Sequence, residues 1–228
     1  MNWNGIVSLF IACIELILVI NLLVFAQKDK LNITAIIITT ILFTYQLLEF
    51  LMCHFGMSGS YMAYTAFVDI SFLPPLALYY TLQLTDSVYK NFGRYLFIPA
   101  VLFVIFYAFM IQYFKVASCT VIYAAYNYPL GTLYGIFYYV PLLITIVLLL
   151  LFALKNKTAK EALIAKILAS GFIIIFLPVL GAFILSAFGL NTLLSAIESI
   201  MCKFALIIAF CFAFAGIYRG KQKTIKRQ

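Results

Sequence analysis

The stretch Leu133–Leu154, LYGIFYYVPLLITIVLLLLFAL, runs for 22 residues without a charge. About 20 apolar residues in a row is the length that carries an α-helix across the ~30 Å hydrocarbon core of a bilayer. The centre of the stretch, Ile144–Leu151, shows no alternation of apolar and polar residues, and neither does Ala35–Leu42. Neither reads as a strand of a membrane barrel. In lipid such a segment must be helical, because only a helix satisfies its own backbone. Six further stretches repeat the pattern: Trp3–Ala26, Leu31–Cys53, Tyr61–Thr85, Tyr95–Phe114, Ala162–Phe188 and Ser195–Tyr218. The expected fold is all-α: a seven-transmembrane-helix bundle forming one domain over residues 1–218, followed by a basic tail at 219–228.

Composition agrees. Hydrophobic residues make up 66% of the 228, and charged residues 10%, against roughly 25% in a soluble domain. Mean hydropathy is +1.13. A soluble fold cannot cover that much apolar surface, which excludes a soluble enzyme, a nucleic-acid binder and a disordered tail. The net charge of +8 therefore bears on membrane orientation rather than on nucleic acid. Lys28, Lys30, Lys90, Arg94, Lys155, Lys157, Lys160, Lys166 and the tail's Arg219, Lys221, Lys223, Lys226 and Arg227 fall on one side of the spans. They are 13 of the 15 basic residues. The positive-inside rule then sets the N-terminus outside and the C-terminus in the cytoplasm of a multi-pass protein of the cell membrane. The first apolar run is too long for a signal h-region and lacks a basic flank, so it reads as a retained span.

Three features punctuate the spans. Prolines at Pro74-Pro75, Pro99, Pro141 and Pro178 each remove a backbone donor, and the double proline predicts a kink. The connection from Lys115 to Thr132 carries Tyr123, Tyr126 and Tyr128, with Tyr134 beyond. These rings read as an interfacial aromatic belt, or alternatively as a lid over an outward-facing pocket. Of five cysteines, Cys13 and Cys211 lie in apolar runs, and only Cys53 and Cys119 fall clearly at the outer face. A bridge between those two is left open.

Ionisable residues within spans are costly and mark functional candidates. Asp69 and Lys203 each stand eight residues in from the outer end of their spans, Glu49 four and Glu198 three, with Glu15 near the midplane. Tyr45, Gln46, Glu49 and Cys53 recur at helical spacing and form one polar stripe on the second span. One reading is an ion pair between Lys203 and an acid on another helix. The other is a water-accessible outer pocket for a small polar ligand or ion, with Tyr45, Gln46, Glu49, Asp69, Glu198 and Lys203 as its candidate ligand-binding residues. No cysteine pair or histidine cluster points to a metal.

The stretch Phe72-Leu73-Pro74-Pro75-Leu76, followed by Leu82-Gln83-Leu84-Thr85, resembles the third span of the seven-helix sensor region at the N-terminus of prokaryotic histidine kinases. Tyr128-Pro129-Leu130, Pro178-Val179-Leu180-Gly181 and Ser199-Ile200-Met201-Cys202 resemble the approaches to, or middles of, the fifth, sixth and seventh spans of that region, in order. The resemblance implies a stand-alone sensory or receptor-like protein without the kinase, signalling to a cytoplasmic partner and existing alone or as a homodimer. It departs from the pattern at Lys203, where an apolar or small residue is expected.

Other classes compete. A transporter or channel would need a path along the kinked helices, and the sequence offers no internal repeat for one. A retinal protein would use Lys203 as Schiff base and Asp69 as counter-ion. Against this, the single tryptophan, Trp3, leaves a polyene without indole walls, so no cofactor is expected. An intramembrane enzyme finds no HExxH or GxSxG motif, and the one histidine, His54, sits at a span end. The basic tail reads as an anchor on anionic headgroups, at roughly 1 kcal/mol per residue.

Overall fold

In the computed structural model, residues 3–155, 159–187 and 191–225 are described, with the backbone alone at 132, 159, 182–187, 191–201 and 220–225. Among the described residues, seven helical stretches are long and apolar enough to cross a membrane. The helices are α1 (Ile6–Phe25), α2 (Lys30–His54), α3 (Ser60–Ser71), α4 (Leu73–Leu84), α5 (Phe97–Ala108), α6 (Gly131–Lys155), α7 (Ala159–Ala187) and α8 (Asn191–Ile225). The chain is built as a multi-pass membrane protein.

Helix α2 is the hub, packed against α1, α3, α4 and α8. Its start is fixed by Asp29, whose side chain accepts the Asn32 N–H at 2.9 Å, a standard N-cap bond. The same carboxylate lies 3.6 Å from Arg219 of α8. That contact ties the end of the last span to the first turn of the chain. Helices α1 and α8 approach closely there: a Cβ on Gly216 would stand 2.7 Å from Leu22 Cδ2. Small residues at such crossings let membrane helices pack by van der Waals contact.

The third span is two helices, as its prolines predict. α3 ends at Ser71, Phe72 turns, and α4 begins with Pro74 and Pro75 in its first turn. There the missing N–H groups have no intrahelical acceptor to lose. The fourth span differs from the expected 95–114. Only Phe97–Ala108 is α-helical, with 3-10 turns at Val88–Leu96 and Ile111–Tyr113 on either side.

The all-α bundle carries a short pair of strands in addition. Residues Lys115–Cys119 (β1) and Ala124–Asn127 (β2) form an antiparallel hairpin. Thr120 shapes its turn: its hydroxyl oxygen accepts the Tyr123 N–H at 2.9 Å and the Ile122 N–H at 3.2 Å, a local side-chain turn. Backbone bonds at the start of α1 and a disulfide to α2 fasten the hairpin to the bundle. The Gly5 and Val7 N–H groups donate to the Thr120 and Val121 carbonyls at 2.9 and 3.4 Å. Cys119 is disulfide-bonded to Cys53 of α2. Gly5 is required at its position: its φ is +75°, and a Cβ would stand 3.1 Å from Cys53 Cβ and 3.3 Å from Phe50 Cα.

Of the tyrosines of the hairpin connection, Tyr126, Tyr128 and Tyr134 pack inward rather than forming a belt. Phe67, Tyr107, Phe114, Tyr128 and Tyr134 make one ring cluster beneath the hairpin, with Phe67 and Tyr134 centroids 4.5 Å apart. The Tyr107 hydroxyl donates to the Pro129 carbonyl at 2.6 Å, and the Tyr134 and Ser71 hydroxyls lie 3.0 Å apart. Buried tyrosines need such partners. Outside, large apolar side chains such as Phe10, Ile17 and Val24 of α1 lie exposed, as a lipid-facing surface requires.

Candidate functional site

The polar stripe on α2 turns toward α1 and α8. Lys203 enters from α8 and Ser8 from α1. The Lys203 ammonium donates to Ser8 Oγ, Gln46 Oε1 and Glu49 Oε1, each at 2.8 Å. An ammonium has three hydrogens and no acceptor, so all of its capacity is used. Glu49 Oε1 also accepts the Ala124 N–H of β2 at 2.9 Å. Gln46 is used at both ends, its Nε2 donating to the Cys202 carbonyl at 2.8 Å. The Glu49 side chain is 1% exposed and that of Lys203 10%. A buried ion pair offsets its desolvation only when its remaining hydrogen-bonding groups are satisfied. Ser8 and Gln46 complete the needs of the ammonium and the hairpin backbone adds a donor to Glu49 Oε1, while Glu49 Oε2 is buried without a hydrogen-bond partner. The pair thus joins α1, α2, α8 and β2 at one point.

Tyr126 on β2 lies outside the spans beside this group. Burial pushes its hydroxyl well above the usual tyrosine range, and the Glu49 charge adds to the effect. At the end of α2, His54 stacks on Phe50 with centroids 5.0 Å apart, as an interfacial ring would.

Of the six expected site residues, the structure draws three together. Gln46, Glu49 and Lys203 come together and close on one another. Asp69, on α3, takes no part in their hydrogen bonds: one of its oxygens is buried without a hydrogen-bond partner. The Asp69–Lys203 pairing required of a retinal site is replaced by Glu49–Lys203. The side chain of Glu198 lies outside the described part of the chain. Tyr45 is 4% exposed and belongs to a different feature.

That feature is an apolar cavity of about 60 Å³ in the middle of the bundle. Its walls come from α2 (Ile38, Leu42, Tyr45), α3 (Ile70), α4 (Leu73, Ala77), α6 (Tyr138, Leu142), α7 (Phe172, Ile175) and α8 (Cys202, Ala205, Ile208, Phe212). A smaller space of about 30 Å³ lies in the ring cluster beneath the hairpin. Tyr45 and Ile70 line both. Sequence reasoning missed this cavity because its lining reads as ordinary core. It also missed Ser8, since one serine in an apolar span carries no distinguishing signal.

No family model matches the chain, and comparison with curated proteins and with solved structures finds no match either.

Proposed function

We propose that the protein is a seven-helix sensory or receptor-like membrane protein whose ligand is small and mainly apolar and occupies the cavity between α2, α4, α6, α7 and α8. The observation that carries this reading is the helix break at Phe72, placed in the cavity wall between Ile70 and Leu73. An engineered cavity of about 150 Å³ admits benzene, whereas the space here is about 60 Å³. Anything beyond a few heavy atoms must spread the helices. They give most readily at a broken span, because α3 and α4 share no continuous hydrogen-bond ladder across Phe72. Ligand occupancy is thereby coupled to a movement of α4, which ends at Leu84 beside the basic residues Lys90 and Arg94. A ligand that favours one of two helix arrangements shifts their populations. A polar ligand, expected from the charged residues, has less support, since Gln46, Glu49 and Lys203 are occupied by one another.

In this reading the hairpin faces the outside and the basic end faces the cytoplasm. Two independent features support that orientation. Basic residues are concentrated at the end opposite the hairpin, and a disulfide at the hairpin end suits an oxidising compartment. The likeness of Pro74-Pro75 and its flanks to histidine-kinase sensor regions suggests a separate cytoplasmic partner as the receiver of the signal.

The test uses the whole protein in nanodiscs, spin-labelled at Lys28 and Val88, both exposed at the basic end. n-Hexanol serves as the apolar probe. The expected result is a shift in the label-to-label distance distribution in the wild type. In Ala77→Phe, which fills the cavity, hexanol should have no effect. An equal response in both proteins, or none in either, would overturn the reading.

A further inference from the structure

Glu15 is the one acidic or basic residue of α1, and the ion pair does not use it. It is fully buried, and neither carboxyl oxygen has a hydrogen-bond partner. It lies on the same buried face of α1 as Ser8 and Ala12, about 10 Å along the axis from Ser8 at 1.5 Å per residue. Side chains lean toward the helix N-terminus, so its carboxyl leans back toward Ser8 and the ammonium that Ser8 holds. Ser8 on that face accepts from the Lys203 ammonium at 2.8 Å. Helix α1 packs on α2 and α8. The titratable groups those helices turn toward this face are Lys203 and, beyond it, Glu49. Asp29 and Arg219 are engaged with each other at the opposite end.

A bare carboxylate in hydrocarbon with no donor near it is far more costly than the neutral acid. Lys203 supplies one positive charge and Glu49 already balances it. We propose that Glu15 is a proton-binding site, and that Glu15, Glu49 and Lys203 together hold one exchangeable proton on two carboxyls. In the resting arrangement the proton is on Glu15, while Glu49 is ionised and bonded to Lys203. In the alternative, the ammonium passes one of its protons to Glu49. It then takes the Glu15 proton onto its freed lone pair and swings on its flexible stem to face the new carboxylate. One N–H and one O–H bond break and one of each forms. The trio is neutral overall in both arrangements, so no net charge is added to the interior.

The two arrangements differ at the hairpin. With Glu49 ionised, Ala124 N–H has a charged acceptor, and such bonds are roughly twice as strong as neutral ones. With Glu49 protonated, that hold on β2 weakens. The proton's location is thus coupled to how tightly the hairpin closes this end of the bundle.

Infrared spectroscopy of the protein in nanodiscs, with isotope-labelled glutamate to separate these carboxyls from Asp69, tests the proposal. At neutral pH the wild type should show a neutral carboxylic C=O band from Glu15 that Glu15→Gln removes. Glu49→Gln should also remove it, because Glu15 then ionises to face Lys203, and Glu49→Asp should keep it. Lys203→Met should add a second neutral glutamate of equal intensity, since no cation remains to balance either acid. That variant gives an independent reading if Glu49→Gln fails to fold. No Glu15 band in the wild type would overturn the proposal. So would a band that survives Glu49→Gln, or an unchanged count in Lys203→Met.

Discussion

The hairpin end of the bundle and its middle are built from the same apolar helices but are finished in opposite ways. At the hairpin end polar groups are drawn together and largely bonded to one another, Glu49 Oε2 excepted. Lys203 has three acceptors, Gln46 is bonded at both ends, and a disulfide and two backbone bonds hold the hairpin down. In the middle there is an apolar cavity, a span broken at Phe72, and a carboxyl with no partner. Lipid gives no hydrophobic drive for one helix to prefer another, so packing and polar contacts must hold such a bundle. Concentrating the polar contacts at one end fixes that end and leaves the middle free to rearrange. This division is what a molecule needs if it is to respond without coming apart.

Substitutions at the two ends of this contrast should differ in size. The largest effect is expected from Glu49→Leu, which leaves the Lys203 ammonium buried without its counter-charge. Breaking one side of a buried pair costs about 3–5 kcal/mol, which should appear as a large drop in unfolding midpoint in nanodiscs or mild detergent. Replacing Cys53 and Cys119 together by serine comes next. The bond closes a 66-residue separation, which in a free chain corresponds to about 4 kcal/mol. Helices held in a bilayer are not a free coil, so the loss should be smaller, and reducing agent should reproduce it in the wild type.

A third, smaller loss is expected from Gly5→Ala, about 1–2 kcal/mol, because an L-residue is disfavoured at positive φ and the new methyl meets Cys53 and Phe50. Hydrogen exchange at the Thr120 turn should rise in parallel. Smallest of all is Asp86→Asn. The Lys90–Asp86 contact of 2.6 Å is an exposed helical-spacing pair, worth at most about 0.5 kcal/mol, and its loss should leave the unfolding midpoint within error. A result in which Asp86→Asn rivals Glu49→Leu would contradict the special weight given to the buried pair at the hairpin end.

The architecture was readable from the chain because a bilayer imposes length and polarity directly on the sequence. Runs such as Leu133–Leu154 admit only one structure in lipid, and Pro74-Pro75 can only sit at a helix start or a kink. The hairpin was not readable. Its strands are five and four residues long, and its turn rests on a threonine hydroxyl rather than on an Asn-Gly signal. The site was half readable. Spacing placed Gln46 and Glu49 on one stripe, and depth brought Lys203 near their level. Depth does not set the rotation of a helix about its axis. That rotation takes Lys203 toward Glu49 and Ser8 and leaves Asp69 outside the group. The cavity left no trace, because an apolar wall around a space and an apolar wall around a neighbour are the same residues.

The account depends most on Lys203 and Glu49 being one buried pair that holds α8, α2 and the hairpin together. A double-mutant cycle with Glu49→Leu, Lys203→Met and the combined variant, read by unfolding in nanodiscs, measures that coupling alone. Each single substitution should be strongly destabilising, and the combined one should recover most of the loss, because it removes both charges at once. If the combined loss instead equals the sum of the two single losses, the two side chains do not act as a pair and the account is contradicted.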